Sequence, residues 1–273
     1  MPSAPYDTPL AEATFVVFDF ETTGLKPARG ARIVEIGALT LRGGRPTGHF
    51  LTLVNPGVPV PAEATAVHGL TDGDLYGEPP LAEAFPAFLD YAGDAVLVAH
   101  NLPFDMSFVV AAAAELGLPP VPSATVDLLG LARHFYPEQR SHSLGRLADA
   151  FAVSNPAPHR SLGDVAVESQ FLLTFLEAAR ERREAETVGD LALLSRGMPA
   201  SPDVDAAAVV ALEWAAAAGE SRPVRYRGSR GETERSITPL KFKARGGKCY
   251  VVAYCHESEG RREFRLDRLE LLP

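Results

Sequence analysis

The chain reads as an α/β protein with a mixed sheet, followed by a small, mostly β module. Three observations predict this. A hairpin meander of β-branched and aromatic runs opens the chain, helical and short apolar strand segments then alternate, and after a stretch rich in proline and glycine come several β-like segments. The expected divisions are 1–186 for the first domain, 187–204 for a linker and 205–273 for the second domain.

Thr14 to Phe20 is an almost unbroken β-branched and aromatic run, the pattern of a buried strand. Arg32 to Leu41 and Thr47 to Val54 read as two further strands joined through Gly43-Gly44, a hairpin signal. Asn55 to Ala64 is a proline-rich loop, and Leu81 to Tyr91 a helix. Ala95 to Ala99 is a short apolar strand, followed by an alanine-rich helix, Pro103 to Leu116, with proline at its start. Thr125 to Leu128 adds a strand, and Ser143 to Phe151 and Ser161 to Ala179 add helices. The mixed-charge run Glu177 to Glu186 suits a solvated helix end, and Gly197 to Asp203 has linker punctuation. Beyond lie a helix, Asp205 to Ala218, and β-like segments at Pro223 to Arg227, Glu234 to Lys243, Lys248 to His256 and Glu263 to Leu272.

A composition of 46% hydrophobic and 22% charged residues excludes a disordered or fibrous chain. No apolar run approaches the ~20 residues that span a bilayer, and Met1 to Ala13 lacks the basic start of a secretory signal. Two cysteines, Cys249 and Cys255, are too few for a disulfide scaffold and lack metal-ligand spacing, so a reduced, cytoplasmic protein is expected. The net charge of −9 hides an asymmetry. From Arg222 to Pro273 there are 13 basic and 7 acidic residues, net +6, whereas the preceding 221 residues carry 13 and 28, net −15. Opposite signs in the two parts suggest two different jobs.

Three constellations carry chemistry. Asp19 and Glu21 are two apart at the end of an apolar strand, so their carboxylates share a face. Like charges there repel unless a cation joins them, and oxygen ligands suit Mg²⁺ or Mn²⁺. A strand end running into a polar turn is the alternative. Next, Ala99 to Asp105 delivers a buried strand into a helix whose first turn holds Asp105, a place the helix dipole alone also favours for an acid. Last, His159 and Asp164 lie five apart, about 140° around a continuous helix. They converge only if His159 lies in the preceding loop, which Pro156 and Pro158 favour, with Ser161 as N-cap.

Asp19, Glu21, Asp105, His159 and Asp164, in this order and in the contexts FDFETTGL, AHNLPFDMSF and HRSLGDV, resemble the DEDDh, or DnaQ-like, 3′→5′ exonucleases. Val67 to Thr71 is similar to the segment that family carries between its first two motifs, and the resemblance spans about Thr14 to Ala178. It implies a ribonuclease-H-like fold and a reaction using two divalent cations, Mg²⁺ or Mn²⁺, ~3.5–4 Å apart. Asp19 would touch both metals, Glu21 and Asp164 would hold the one carrying the attacking water, and Asp105 would support the second. His159 would be the general base, suited by a reference pKa near 6.5. Thr22, Thr23, Gly24 and Leu25 would line the pocket for the terminal nucleotide, with a simple turn as the alternative. Phe104 would stack on a base or belong to the core. His68 would meet a phosphate or sugar, and Asn101 would position Asp105 or the substrate backbone. The implied partner is nucleic acid, with single-stranded DNA 3′ ends favoured and RNA as a second substrate class. A polymerase partner stays open, and no membrane is involved.

The second domain interleaves Arg222, Arg225, Arg227, Arg230, Arg235, Lys241, Lys243, Arg245 and Lys248 with Tyr226, Phe242 and Tyr250. Basic strands with exposed rings suit single-stranded nucleic acid, while solvated strand edges that deter aggregation are the plain alternative. The text from Thr238 to Leu272 resembles a WYL domain, which implies a small Sm-like β-barrel. It departs from the namesake triplet, reading Cys249-Tyr250-Val251, and leaves Arg261, Arg265 and Arg268 as candidate ligand contacts. Two other readings of the whole chain are an RNA-trimming exoribonuclease and a nucleic-acid-binding regulator without catalysis.

Overall fold

Thr14–Thr22 forms the central strand β1. It pairs antiparallel with β2 (Ile33–Arg42), which turns through Gly43 and Gly44 into β3 (Arg45–Leu53). Both glycines have positive φ, 56° and 72°, the hairpin geometry that a Cβ disfavours. On its other side β1 pairs parallel with β4 (Val96–Ala99), and β4 pairs parallel with β5 (Thr125–Asp127). The sheet order is β3-β2-β1-β4-β5, mixed as expected. The computed structural model describes residues 5–119, 121, 123–155, 157–229 and 231–272, so Pro156 and Arg230 lie outside it.

Between β3 and β4 come α1 (Ala62–His68), α2 (Asp72–Leu75) and α3 (Leu81–Ala92). α4 (Leu102–Glu115) joins β4 to β5, and α5 (Leu128–Phe135), α6 (Leu144–Phe151) and α7 (Ser161–Arg182) follow. The two faces of β1 part the core from the chemistry. Phe18 and Phe20 pack on Phe88 of α3, with ring centroids 5.5 and 5.7 Å apart. Asp19 and Glu21 alternate with them on the other face, where α7 lies across β1 and β2. Opposite Asp19 in the ladder stands Gly37, and a Cβ there would come within 2.5 Å of Ser161 Oγ. Glycine at this position lets the first turn of α7 close onto the acidic face.

The interval expected as a linker is not one throughout. Residues 188–194 form a helix, α8 (Val188–Leu194), all of whose side chains are buried except that of Asp190. Thr187 and Asp190 exchange hydrogen bonds as a capping box, a signal present in the sequence as Thr187-Val-Gly-Asp190. α9 (Ala206–Ala218), capped by Asp205, then lies against α4 and α8. Arg196 ties it to the first sheet, donating from Nη2 to Thr125 Oγ1 at 2.7 Å and from Nε to Glu213 Oε2 at 3.1 Å. Each buried Val or Leu contributes about 1.5–3 kcal/mol, against a net stability of about 5–15 kcal/mol for a domain. A chain ending at Glu186 should therefore lose its cooperative melt in circular dichroism. Melting of that shortened chain at the full-length temperature would contradict the packing of α8.

The remaining residues build an antiparallel sheet of β6 (Arg222–Gly228), β7 (Gly231–Arg245), β8 (Lys248–Cys255), β9 (Gly260–Arg265) and β10 (Leu269–Leu271), in the order β10-β6-β7-β8-β9. The expected single strand from Glu263 to Leu272 is broken by a 3₁₀ turn at Leu266–Arg268. No ladder joins β9 to β10 among the described residues, so the sheet is not shown as a closed barrel. Cys249 and Cys255 are both on β8, buried and free. Among the described residues no helix is long and apolar enough to cross a membrane.

The aromatics of this module are less available than its sequence suggests. Tyr226 sits edge-on to Phe264 at 5.1 Å, and Tyr250 lies between Lys243 and Arg245, 5.8 and 5.6 Å from its centroid. Phe242 is half-buried beside Asp127, Arg133 and Arg196. Alternation on the pleat turns Tyr226 and Phe242 toward the core, whereas Tyr250 stands on the outer face with Lys243 and Arg245. Several basic groups are paired: Arg222 with Glu220, Arg225 with Glu234 and Glu270, Arg227 with Glu232, and Lys243 with Glu263. Arg265 pairs with Asp267.

Candidate active site

Asp19 is the one inner residue of β1 that is only partly buried; it opens into a cleft. Glu21 lies beside it, and the first turn of α7 brings in Asp164. Carboxylate oxygens of Asp19, Glu21 and Asp164 all fall within 4.8 Å of one another. Asp105, in the first turn of α4, is buried behind them and accepts a hydrogen bond from the Phe20 N–H at 3.3 Å. Acids of the first and third motifs, about 145 residues apart, thus meet at one point, and Asp105 of the second motif is tied to the same strand.

Local structure explains how each acid is held. β4 ends in Ala99, and Asn101 takes a left-handed conformation (φ 65°, ψ 48°) that turns the chain into α4. The Asn101 and Leu102 N–H groups donate to Asp127 Oδ1 at 3.1 and 3.2 Å, so a carboxylate from β5 anchors the start of the helix bearing Asp105. At the start of α7 the N-cap is Arg160, not Ser161 as expected; Ser161 is the first helical residue. Its N–H and Oγ both donate to Glu35 Oε2 at 2.8 Å, while Arg160 Nε donates to Glu35 Oε1 at 3.1 Å. Glu35 faces Glu21 across the β1–β2 ladder, and Arg160 offsets that like-charge pair. His159 lies in the loop before α7 at φ 58°, and its backbone N–H donates to Asp164 Oδ2 at 3.1 Å. Asn155 Nδ2 donates to Asp164 Oδ1 at 2.6 Å.

The cleft has a volume of about 460 Å³ and is lined by Asp19, Glu21, Thr22, Thr23, Gly24, Leu25, His68, Phe104, His159 and Asp164. Every candidate residue except Asp105 and Asn101 therefore lines it; Asp105 sits behind, and Asn101 belongs to the helix start. The Thr22 hydroxyl donates to the Gly24 carbonyl at 2.8 Å, and Thr23 Oγ1 accepts from the Arg32 N–H at 2.9 Å. The turn thus uses one bonding direction of each hydroxyl and leaves others for a ligand. Leu25 is 78% exposed at the mouth. Phe104 both lines the cleft and packs on Phe108, with centroids 5.2 Å apart. His68 is buried; its Nδ1 accepts from the Leu70 N–H at 3.0 Å, and no described partner meets its Nε2.

α1 supplies a wall that sequence reasoning missed: Pro61, Glu63, Ala64 and Val67 also line the cleft. Pro61 at the N-cap and Gly69 just past the end, in an alanine-rich run, were its signal.

The acids repel one another. Burial, more than any neighbouring charge, raises the carboxyls of Asp19, Asp105 and Asp164, and the same effect pushes Glu21 up to about 7. Asp105 is the next influence on Asp19, and Asp164 the next on Glu21. Arg160 is engaged by Glu35, which it and Ser161 hold below the usual glutamate value despite burial. A set of converging, partly buried carboxylate oxygens fits a hard divalent ion.

Groups raised on folding bind protons more tightly in the native state. Their contribution is present below the unfolded values and is lost as pH rises through the raised ones, for Glu21 between 4.5 and about 7. Glu35 acts oppositely, contributing above 4.5 and losing its contribution as pH falls through its lowered value. In EDTA the denaturant midpoint should therefore fall from about pH 5 to about pH 8, and Mn²⁺ should restore it at the upper end. A midpoint that climbs steadily with pH would show that the acids are not in mutual repulsion.

The sequence pattern of the Exonuclease family (RNase_T) matches residues 16–170, more than half of the chain. The chain belongs to this exonuclease family. It is DnaQ-like, and its C-terminal part, residues 208–272, matches the WYL domain. The DNA polymerase III PolC-type proteins of Streptococcus pyogenes serotypes M1 and M18 are each 39% identical over 178 residues, 65% of this exonuclease. The chain spans about 12% of the length of those relatives. Among solved structures, "Exonuclease X in complex with 5′ overhanging duplex DNA" superposes with a TM-score of 0.53 at 24% identity, covering 66% of this chain and 99% of that one. Escherichia coli Exonuclease I in complex with a dT13 oligonucleotide gives 0.58 at 14% identity, covering 89% and 55%. These likenesses show the ribonuclease-H-like exonuclease fold.

Proposed function

We propose that this exonuclease releases nucleoside monophosphates one at a time from the 3′ ends of single-stranded DNA, using two divalent cations, Mg²⁺ or Mn²⁺. The observation that carries the reading is the meeting of Asp19, Glu21 and Asp164 within 4.8 Å, in a cleft that His159 also lines. Cations bound by these acids and Asp105 would neutralise charge on the attacking and leaving oxygens of an in-line displacement. His159 takes the proton of the attacking water, since its loop places it on the cleft wall beside Asp164. Thr22 and Thr23 meet the terminal sugar with the bonding directions that the turn leaves open, and Leu25 and Phe104 flank its base. His68 meets a phosphate or sugar through Nε2.

Asn101 acts indirectly, by starting the helix that carries Asp105. DNA is favoured because the curated relatives are DNA polymerases by name and the two solved neighbours hold DNA by title. For the C-terminal module, an order in which β6 lies between β10 and β7 supports an Sm-like barrel. Lys241, Arg245, Lys248 and Arg261, which pair with no carboxylate among the described residues, support a role in holding the strand away from the cleft. Free, buried cysteines suit a reduced, cytoplasmic setting.

The test is digestion of end-labelled, matched DNA and RNA oligonucleotides by the full chain in Mg²⁺, Mn²⁺ or EDTA. A ladder shortening from the 3′ end of DNA in either metal, and none in EDTA, is expected. Faster shortening of RNA would replace the substrate, and no product from any oligonucleotide would leave a binding protein without catalysis.

A further inference from the structure

One ionisable group beside the site has no part in the chemistry above. Glu168 lies four residues beyond Asp164 on α7, and therefore on the same helix face. It is 1% exposed, and its Oε2 has no hydrogen-bond partner among the described residues. The His100 backbone, just past the end of the strand that leads to Asp105, favours its ionised form. After burial, the charges that act on it most are those of Asp19, Asp105 and Asp164, all three against its ionised form. It is not a member of the group of Asp19, Glu21 and Asp164 whose oxygens lie within 4.8 Å of one another.

A packing role does not account for this arrangement. A buried carboxylate with an open oxygen is costly, and placing it among three like charges adds to the cost. A leucine or glutamine at the same position would fill the space without that penalty. The arrangement becomes favourable once a dication occupies the cleft, because an added negative charge behind the ligands then attracts rather than repels. An oxygen without a protein partner is also free to accept from a water in the cation's shell.

We propose that Glu168 is a fifth carboxylate of the metal centre, a positioning residue that tightens cation binding from behind Asp19, Asp105 and Asp164. This rests on the metal-dependent reading of the cleft. Glu168→Gln preserves shape while removing the charge. Partners behind the direct ligands typically contribute about 10–100-fold to metal affinity.

The experiment is calorimetric titration of the full-length protein with Mn²⁺, beside thermal melts in EDTA and metal-dependence curves for nuclease activity. Glu168→Gln should weaken Mn²⁺ binding about 10–100-fold and raise the Mn²⁺ concentration for half-maximal activity in parallel. The rate at saturating Mn²⁺ should stay near wild type, and the metal-free melt should be unchanged or higher, since a repelling charge is gone. A wild-type Mn²⁺ affinity in the variant overturns the proposal, as does a lowered metal-free melt, which would make Glu168 a packing residue. Glu168→Asp, which keeps the charge and shortens the reach, should fall between the two, and an affinity below that of the glutamine variant would count against the proposal. Failure of the wild-type protein itself to bind Mn²⁺ would instead remove the metal-dependent reading of the whole cleft.

Discussion

Asp19→Ala should abolish turnover and leave the metal-free protein at least as stable as wild type. The two effects have one cause. Burial, and then Asp105, Glu21, Asp164 and Glu35, all act against the ionised form of Asp19, so its charge is a liability to the empty cleft. Removing it relieves repulsion, whereas removing an ordinary buried side chain of β1 would cost stability. With metal present the sign should reverse, because the ligand proposed to be shared would be gone. Several kcal/mol of transition-state stabilisation disappears with it, about 10³–10⁵-fold in rate at about 1.36 kcal/mol per decade. Rates on a labelled DNA strand and melts in EDTA and in Mn²⁺ check both halves. A variant that still degrades DNA at more than about a tenth of the wild-type rate would show that Asp19 is not at the centre of the reaction.

His159→Ala should slow the reaction by about 10²–10⁴-fold, the usual worth of a general base, with Mn²⁺ affinity unchanged. The backbone argues that this loss is chemical. The hydrogen bond from His159 to Asp164 comes from the main-chain N–H, so alanine keeps it. The residue sits at φ 58°, a conformation asparagine also tolerates, so His159→Asn separates backbone strain from the loss of the ring. Both variants should bind Mn²⁺ like wild type and be slow to a similar degree. If His159→Ala unfolds while His159→Asn keeps full activity, the ring has no catalytic part and the loop geometry explains the position.

What could be read beforehand differed sharply along the chain. The strands β1, β2, β3 and β4 were legible because buried strands leave period-two or continuous apolar runs over enough residues to stand out. α1, α2 and α5 were not, since short helices beside proline-rich or strand-like text carry too few turns for a 3.6-residue period. α8 was lost to the punctuation that follows it, although its capping box was in plain view at Thr187 and Asp190. Asp19 and Glu21 were paired by spacing alone. Glu35, Asn155 and Asp127, which hold the acids or their neighbours, left no sequence signal, because their partners lie 126, 9 and about 25 residues away. The openness expected of Tyr226 and Phe242 failed for the same reason: which pleat face meets a neighbour is not written locally, and of the three only Tyr250 stands on the outer face.

By itself the sequence determined the acids, their order and the local elements that carry them, because strand alternation and helix starts depend on near neighbours. The meeting of Asp19, Glu21 and Asp164 was decided only by the tertiary structure. It takes Gly37 to admit Ser161, Glu35 to hold the start of α7 and Asp127 to hold the start of α4. Each of these is a contact between segments far apart in the chain, and charges that repel are brought together only where packing elsewhere in the core outweighs their repulsion.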